Sequence, residues 1–176
     1  MKILSFGATN SRNSINKQLA HYTASLVGNA DIDLIDLNDF EMPIYSIDRE
    51  NSTGIPEPAH RFIEKIAQAD AVIVSFAEYN GTYTSAYKNI YDWASRVEGK
   101  VFQGKPVIFL STSPGAAGAR SVLDFAVESA AYIGADLKAS LSVGKFYDVF
   151  DTDTGKVKDP ALRANLKQVV ATLNVR

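Results

Sequence analysis

Apolar runs and amphipathic stretches alternate along the chain in the way expected of strands and helices. Short runs with few polar interruptions predict buried strands, and apolar residues spaced three and four apart predict helices. The predicted strands cover 2–7, 32–37, 71–75, 105–110 and 137–143. The predicted helices begin after Ser14 and near Pro56, and then cover 85–97, 118–133 and 160–173.

This order of elements predicts an α/β fold. Five strands that are each followed by a helix indicate a parallel sheet with right-handed crossovers. Because the strands are apolar on both faces, helices should cover both sides of the sheet. We therefore expect one doubly wound domain over residues 1–176, with the strand order 2-1-3-4-5. The connection 38–54 is too long for a plain loop, so we expect it to form a site wall or a subunit contact.

The composition argues against several classes of function. The 176 residues have a formal net charge of −2 and contain no basic block, which argues against a nucleic-acid partner. Cysteine is absent, so disulfides, thiolate metal sites and thiol nucleophiles are excluded. The two histidines, His21 and His60, form no metal-ligand pattern. No apolar run approaches the roughly 20 residues that span a bilayer, so we expect a soluble, cytoplasmic protein.

The loop after the first predicted strand is rich in hydroxyl and amide side chains, and Arg12 adds a positive charge. Ser14 is also a good helix N-cap, so backbone N–H groups and the positive end of a helix dipole should lie beside it. Together with Thr9, Ser11 and Asn16, these groups suit a bound phosphate. An ordinary helix cap beside a solvated arginine would give the same pattern.

Two further loops should face the same edge of the sheet. Tyr79-Asn80-Gly81 follows the third strand and combines an aromatic ring, an amide and a flexible backbone. Small residues at 113–118 follow the fourth strand and leave room for a ligand. A hairpin-like turn and a plain helix cap remain alternatives. Because parallel strands end at one edge, the three loops together suggest a planar ligand that carries a phosphate.

Two features near the third strand allow more than one interpretation. Glu78 could act as an acid or base, but no second carboxylate or histidine is near it in sequence. We therefore favour a packing or hydrogen-bonding role. Tyr83, Tyr87 and Tyr91 recur every four residues and predict an outer stripe, either half-buried or part of an interface.

These motifs resemble those of the NADPH-dependent FMN reductase family, a flavodoxin-like group that includes quinone, chromate and azo-dye reductases. The resemblance covers residues 1–135. The matching residues are Ser11-Arg12 with Ser14 and Asn16, then Glu78-Tyr79-Asn80-Gly81, then Lys88-Asn89 with Asp92-Trp93, and finally Ser113-Pro114-Gly115 with Gly118. The chain departs from the family pattern at several positions. The spacing from Arg12 to Ser14 is one residue shorter than the common spacing. Ala77 replaces the usual proline, Thr82 replaces the usual serine, and Thr84-Ser85 replace a frequent Pro-Gly.

The resemblance implies a flavodoxin-like FMN-binding domain with the FMN phosphate on the loop 9–16. The isoalloxazine would lie between the loops 79–81 and 113–118, and electrons would pass from NADPH or NADH to a quinone, a free flavin or a similar acceptor. Because the cofactor performs the chemistry, no catalytic side chain is predicted. The family also implies a homo-oligomer, a dimer or tetramer, with the helix 83–96 near the contact. The implied cofactor-binding residues are Thr9, Ser11, Arg12, Ser14, Ile15, Asn16, Ala77, Glu78, Tyr79, Asn80, Gly81, Ser113, Pro114, Gly115 and Gly118.

Three other functions are compatible with this fold. An electron-carrier flavodoxin is disfavoured by the small net charge and by Arg12, since such carriers are usually strongly acidic. A signalling receiver is disfavoured because the first and third strands end without carboxylates. A flavin-free scaffold that keeps the fold but has lost activity remains an alternative.

Overall fold

The structure, a computed structural model, describes residues 1–174. Five strands form the central sheet: β1 (Lys2–Ala8), β2 (Asp31–Leu34), β3 (Ala71–Phe76), β6 (Pro106–Thr112) and β7 (Asp136–Val143). Two antiparallel hairpins are formed by β4 (Glu78–Tyr79) with β5 (Thr82–Tyr83), and by β8 (Phe150–Asp151) with β9 (Lys156–Val157). The central strands are all parallel in the order β2-β1-β3-β6-β7, which confirms the predicted order.

The helices cover both faces of this sheet, as predicted. Their bounds are α1 (Ile15–Ser25), α2 (Ile47–Thr53), α3 (Glu57–Gln68), α4 (Ser85–Val97), α5 (Arg120–Ser129), α6 (Phe146–Val149) and α7 (Pro160–Ala171), with 3₁₀ turns at Leu37–Phe40 and Thr172–Asn174. Neighbouring residues of β3 pack into different hydrophobic cores, one on each face of the sheet. Val72 and Val74 pack with α3, α4 and α5, whereas Ile73 packs with α1 and α7. Two-sided burial explains why the strands are continuous apolar runs.

The structure differs from the sequence prediction in several helices. The long connection contains α2, none of whose residues is buried. In α3 the helical spacing of Phe62, Ile63, Ile66 and Ala67 predicts an apolar face, but Ala67 is exposed, and the buried residues are Ala59, Phe62 and Ile66. Helix α5 starts two residues later than predicted because Gly118 and Ala119 both have positive φ, which a right-handed helix does not allow. Within residues 1–174, no helix is long and apolar enough to cross a membrane.

Candidate functional site

A cavity of about 220 Å³ lies at the carboxyl ends of β1, β3 and β6. We call it the loop cavity, because each of the three predicted loops contributes to its wall. Its lining residues are Thr9, Ser11, Asn13, Ser14, Ile15, Asn16, Ala77, Glu78, Tyr79, Thr112, Ser113, Pro114 and Tyr147. This is the edge of the sheet at which doubly wound folds place their ligands.

The start of α1 is held firmly beside the loop cavity. Ser14 caps the helix by accepting a hydrogen bond from the backbone N–H of Lys17 at 3.0 Å. Asn16 is buried, and its side-chain oxygen accepts from the Ser75 hydroxyl at 2.7 Å and from the Thr112 backbone N–H at 3.1 Å. Its side-chain nitrogen donates to the Thr112 carbonyl. The Asn16 side chain therefore joins α1 to β3 and β6. Its predicted role as a phosphate donor stays a prediction, since its side-chain nitrogen has a second hydrogen.

Hydroxyl groups line the side of the cavity formed by residues 9–16, which we call the phosphate loop after its predicted role. The Thr9 hydroxyl oxygen accepts a hydrogen bond from the Ser11 backbone N–H at 3.1 Å. The Ser11 and Tyr79 hydroxyls lie 3.0 Å apart and connect the first loop to the second. Since a hydroxyl that only accepts keeps its own hydrogen, Thr9 and Ser14 can each still donate to a ligand. The first turn of α1 carries no acidic side chain, so its positive dipole end is open to an anion.

Tyr79-Asn80-Gly81 forms the tip of the hairpin made by β4 and β5, so the alternative of a hairpin turn was correct. Asn80 and Gly81 have φ values of 54° and 79°, which matches a two-residue type I′ turn. Asparagine and glycine are the residues that adopt this turn at low cost. At the base of the hairpin, the Glu78 carboxylate accepts a hydrogen bond from the Val122 backbone N–H of α5 at 3.0 Å.

The third loop is anchored to the sheet at Gly118. Its carbonyl accepts hydrogen bonds from the Ser111 hydroxyl at 2.7 Å and from the Ser142 hydroxyl at 2.9 Å. A Cβ atom at Gly118 would lie 2.5 Å from the Ser142 hydroxyl oxygen. The glycine is therefore needed for close packing against β7, whereas the sequence suggested that it leaves room for a ligand.

Thr84 joins α4 to the end of β1. It is almost fully buried, and its hydroxyl donates to the Ala8 carbonyl at 2.9 Å. The same oxygen accepts from the Tyr87 backbone N–H at 3.2 Å and so caps α4. In the sequence, Thr84 stands out only as a departure from a family pattern. This contact shows that the hydroxyl ties α4 to the strand that precedes the phosphate loop.

Helix α4 also holds the connection 38–54 in place. The Asn89 side chain donates to the carbonyls of Met42 and Pro43 and accepts from the Tyr45 backbone N–H at 2.9 Å. The Trp93 indole N–H donates to the Pro43 carbonyl at 2.7 Å. A second cavity, of about 230 Å³, lies between this segment and α4 and reaches Asn10. The segment therefore forms one wall of this second cavity, and its role as a wall of the site stays a prediction.

Arg12 does not line the loop cavity. It lines an outer cavity of about 540 Å³ together with Lys17, Gln18 and His21. Lys17 pairs with Asp36 at 2.6 Å. Burial opposes ionisation of Asp36, but the hydrogen bonds from Lys17 and Asn38 outweigh it and hold the pKa of this carboxyl below its usual range. Ser14 lines both cavities, so Arg12 shares a cavity with Ser14 but not with Thr9 and Ser11, the other hydroxyl donors with which the sequence grouped it.

Tyr83, at the end of β5, and Tyr91, in α4, agree with the half-buried alternative for the tyrosine stripe, but Tyr87 of α4 does not. Tyr87 is buried, and Tyr83 and Tyr91 are half-buried. Burial raises the pKa of all three hydroxyls, that of Tyr87 well above its ordinary value. Beside them lies an apolar groove of about 140 Å³, here called the aromatic groove, whose open side carries the exposed Phe125 and Tyr132. The exposed aromatic surface therefore comes mainly from α5 and the segment after it.

The loop cavity gathers most of the predicted cofactor-binding residues. Those on its wall are Thr9, Ser11, Ser14, Ile15, Asn16, Ala77, Glu78, Tyr79, Ser113 and Pro114. Those outside its wall are Arg12, Asn80, Gly81, Gly115 and Gly118. Asn13, Thr112 and Tyr147 line it without having been predicted. Thr112 could have been predicted, because it is a polar residue at the end of the fourth apolar run. No motif in the sequence marked Tyr147.

Comparisons with known proteins give consistent matches. A family model described as NADPH-dependent FMN reductase matches residues 1–145. A 2-hydroxy-1,4-benzoquinone reductase of Burkholderia sp is 41% identical over 109 residues, which cover 61% of this chain and 57% of that protein. The probable NADPH:quinone oxidoreductase 1 of Oryza sativa subsp. japonica is 30% identical over 149 residues, which cover 81% of this chain and 72% of that protein.

The fold has a similar counterpart among solved structures. The flavoenzyme NAD(P)H:(acceptor) oxidoreductase FerB from Paracoccus denitrificans superposes with a TM-score of 0.80 at 25% sequence identity. The superposition covers 98% of this chain and 95% of that one. In sequence, the chain spans about half the length of the first curated relatives it matches.

Proposed function

Because the chain belongs to the NADPH-dependent FMN reductase family, we propose that it is an NAD(P)H-dependent oxidoreductase that binds FMN in the loop cavity. NADPH or NADH would be the electron donor, and a quinone, a free flavin or a similar small molecule would be the acceptor. The names of the matched relatives support this proposal, since they include quinone reductases and an NAD(P)H-dependent FMN reductase.

The observation that carries the proposal is the convergence of hydrogen-bond donors at one end of the loop cavity. The hydroxyls of Thr9 and Ser14 can donate, and so can one hydroxyl of the Ser11–Tyr79 pair. The N-terminus of α1 adds its dipole without an opposing acidic side chain. Donors in this arrangement suit a phosphate dianion. The residues present therefore fit the phosphate-bearing end of FMN.

The size of the loop cavity suggests how much of FMN it encloses. Its 220 Å³ is below the roughly 300–1,000 Å³ of cavities that enclose whole small ligands. We therefore expect the cavity to enclose the phosphate end, with the ring along the rim between the hairpin 78–83 and the loop 113–118. Backbone N–H groups near Asn80 and Gly81 would then bind the ring edge. Arg12 stays a predicted phosphate ligand that would reach over from the outer cavity.

The chain itself contributes binding, orientation and exclusion of water. FMN, when bound, supplies the chemistry by accepting a hydride from the nicotinamide and passing electrons to the acceptor. Accordingly, we assign no side chain as a general acid, base or nucleophile. We further propose one FMN-binding domain over residues 1–176 that works in the cytoplasm.

We also propose a homo-oligomer, a dimer or tetramer, that buries the aromatic groove against a second copy of the chain. Phe125 is 50% exposed and Tyr132 is 76% exposed, which is unusual for two neighbouring large aromatic side chains. Aromatic residues with a polar tip are enriched in the cores of protein interfaces. Tyr87 does not contribute to this contact, because it is already buried within the chain.

An absorbance spectrum tests the main proposal. Purified protein is mixed with FMN, freed of excess flavin and then treated with NADPH or NADH under nitrogen. A yellow protein that bleaches supports a flavin reductase, a yellow protein that neither nucleotide bleaches indicates an electron carrier, and a colourless protein refutes the cofactor assignment.

Ser14→Ala tests the phosphate position. This variant should weaken FMN binding about tenfold or more, because a hydrogen bond to a charged group is worth about 1.5–3 kcal/mol. Ser46→Ala is the matched control, since Ser46 caps α2 in the same way away from the loop cavity. Equal FMN affinities for the two variants, measured by calorimetric titration, would argue against the proposed phosphate position.

A further inference from the structure

Glu78 lies on the wall of the loop cavity without a cationic partner. None of the six ion pairs formed within residues 1–174 includes it. Its carboxylate instead accepts the hydrogen bond from Val122, which belongs to the first turn of α5 and is 44 residues further along the chain. A carboxylate at this position is stabilised both by the hydrogen bond and by the helix dipole.

Helix α5 depends on this distant carboxylate because it cannot cap itself. The residue at its N-cap position is Ala119, which has no side-chain acceptor and a φ of 60°. The adjoining Gly118 carbonyl is fixed by the hydroxyls of Ser111 and Ser142, which project from the sheet. The start of α5 is thus attached to β6 and β7. Glu78 therefore ties the hairpin to a point that the sheet already holds.

This contact determines the spacing between two loops. Asn80 and Gly81 are the turn residues of the short hairpin that starts at Glu78, and Ser113 begins the loop that ends where α5 is anchored. Loss of the Glu78 contact would let the hairpin move relative to that loop. The backbone N–H groups of the turn would move with it.

We propose that Glu78 is a positioning residue that sets the spacing between the hairpin 78–83 and the loop 113–118, and that its negative charge lowers the reduction potential of a flavin bound between them. The second part rests on the proposed function. A fixed negative charge near the ring disfavours the added electron density of the reduced flavin. The first part concerns the chain alone.

Hydrogen exchange of the FMN-free protein tests the positioning role. Glu78→Ala removes the acceptor, whereas Glu78→Gln keeps a side-chain oxygen that can accept from Val122. We expect the amide of Val122 to exchange about tenfold faster or more in the alanine variant and near the wild-type rate in the glutamine variant. Faster exchange should extend to the hairpin. Wild-type exchange at Val122 and in the hairpin of Glu78→Ala would overturn the positioning role.

Measurements of FMN affinity and of the reduction potential of bound FMN test how Glu78 affects the cofactor. Glu78→Ala should weaken FMN binding at least tenfold, and Glu78→Gln should restore affinity but raise the midpoint potential of the bound flavin. Asp159→Ala is the control, because Asp159 caps α7 with a 2.6 Å hydrogen bond from Leu162 and does not line the loop cavity. It should lower stability while leaving affinity and potential unchanged.

Each outcome decides one part of the proposal. An unchanged potential in Glu78→Gln would overturn the charge effect, even if Glu78→Ala failed to fold. Equal losses of affinity in Glu78→Ala and Asp159→Ala would overturn the link between this contact and the site. If the wild-type protein bound no FMN, the proposed function would fail, and the exchange experiment would still decide whether Glu78 positions the hairpin.

Discussion

Replacing Thr84 with valine should destabilise the protein although the two side chains have nearly the same volume. Thr84 is 1% exposed, so its hydroxyl cannot exchange its protein partners for water. Valine removes the donor to the Ala8 carbonyl and the acceptor for the Tyr87 backbone N–H. Both partner groups belong to the backbone and cannot move away without disturbing β1 or the first turn of α4.

The expected loss of stability follows from these two hydrogen bonds. Loss of an N-cap costs about 1 kcal/mol. Leaving the buried Ala8 carbonyl without this donor costs about 1–3 kcal/mol more. The free energy of unfolding of Thr84→Val should therefore fall by about 2–4 kcal/mol. Thr84→Ser keeps the hydroxyl and loses one methyl group, which costs about 1 kcal/mol.

Urea unfolding of the FMN-free proteins, followed by circular dichroism, measures this difference. FMN is left out because a ligand that binds the folded state would add its own stabilisation. The midpoint of thermal unfolding should fall by roughly 4–16 °C for Thr84→Val, at about 2–4 °C per kcal/mol in a chain of this length. If the valine variant were as stable as the serine variant or more so, the hydroxyl would not join α4 to β1 as described.

Two further predictions concern the aromatic side chains of α4 and α5. Because burial raises the pKa of the Tyr87 hydroxyl, the folded protein keeps a proton that the unfolded chain loses near pH 10, so stability should fall as the pH rises above about 10. Between pH 9 and pH 10.5, the free energy of unfolding in urea should fall less for Tyr87→Phe than for wild type or for the exposed control Tyr147→Phe. An equal fall in all three proteins would show that the Tyr87 hydroxyl does not cause this loss of stability. Phe125→Glu should shift the oligomer toward monomer in light scattering, whereas Tyr147→Glu, on another exposed aromatic residue, should not. An unchanged mass for Phe125→Glu would exclude the aromatic groove as the contact.

The sheet and its long helices could be predicted because the sequence encodes them in strong local patterns. The strand Ala71–Phe76 is apolar at five of its six positions, since it is buried on both faces. Helix α4 was predicted with its observed bounds because its apolar residues keep a helical spacing along its length. The order of strands then followed from general topology.

The features that the sequence did not reveal depend on long-range contacts or on weak local signals. Helix α2 buries no residue, so no apolar period marks it. The tyrosine spacing indicated a shared helix face, but Tyr87 packs against Phe6 of β1 and Phe76 of β3 and is buried. Charge alone could not show which cavity Arg12 lines. The Asn16 amide could equally bind a ligand or the protein, and its contacts with the ends of β3 and β6 are visible only in the fold.

The way α4 holds the connection 38–54 has a consequence for how the sequence can change. Asn89 and Trp93 bind main-chain atoms of Met42, Pro43 and Tyr45, and these atoms are present whatever the side chains are, except that proline at position 45 would lack the N–H. Substitutions at positions 42 and 45 therefore leave these hydrogen bonds available. The wall beside the phosphate loop can thus vary in sequence while its path is preserved, which would allow related proteins to diverge in this region without rebuilding the fold.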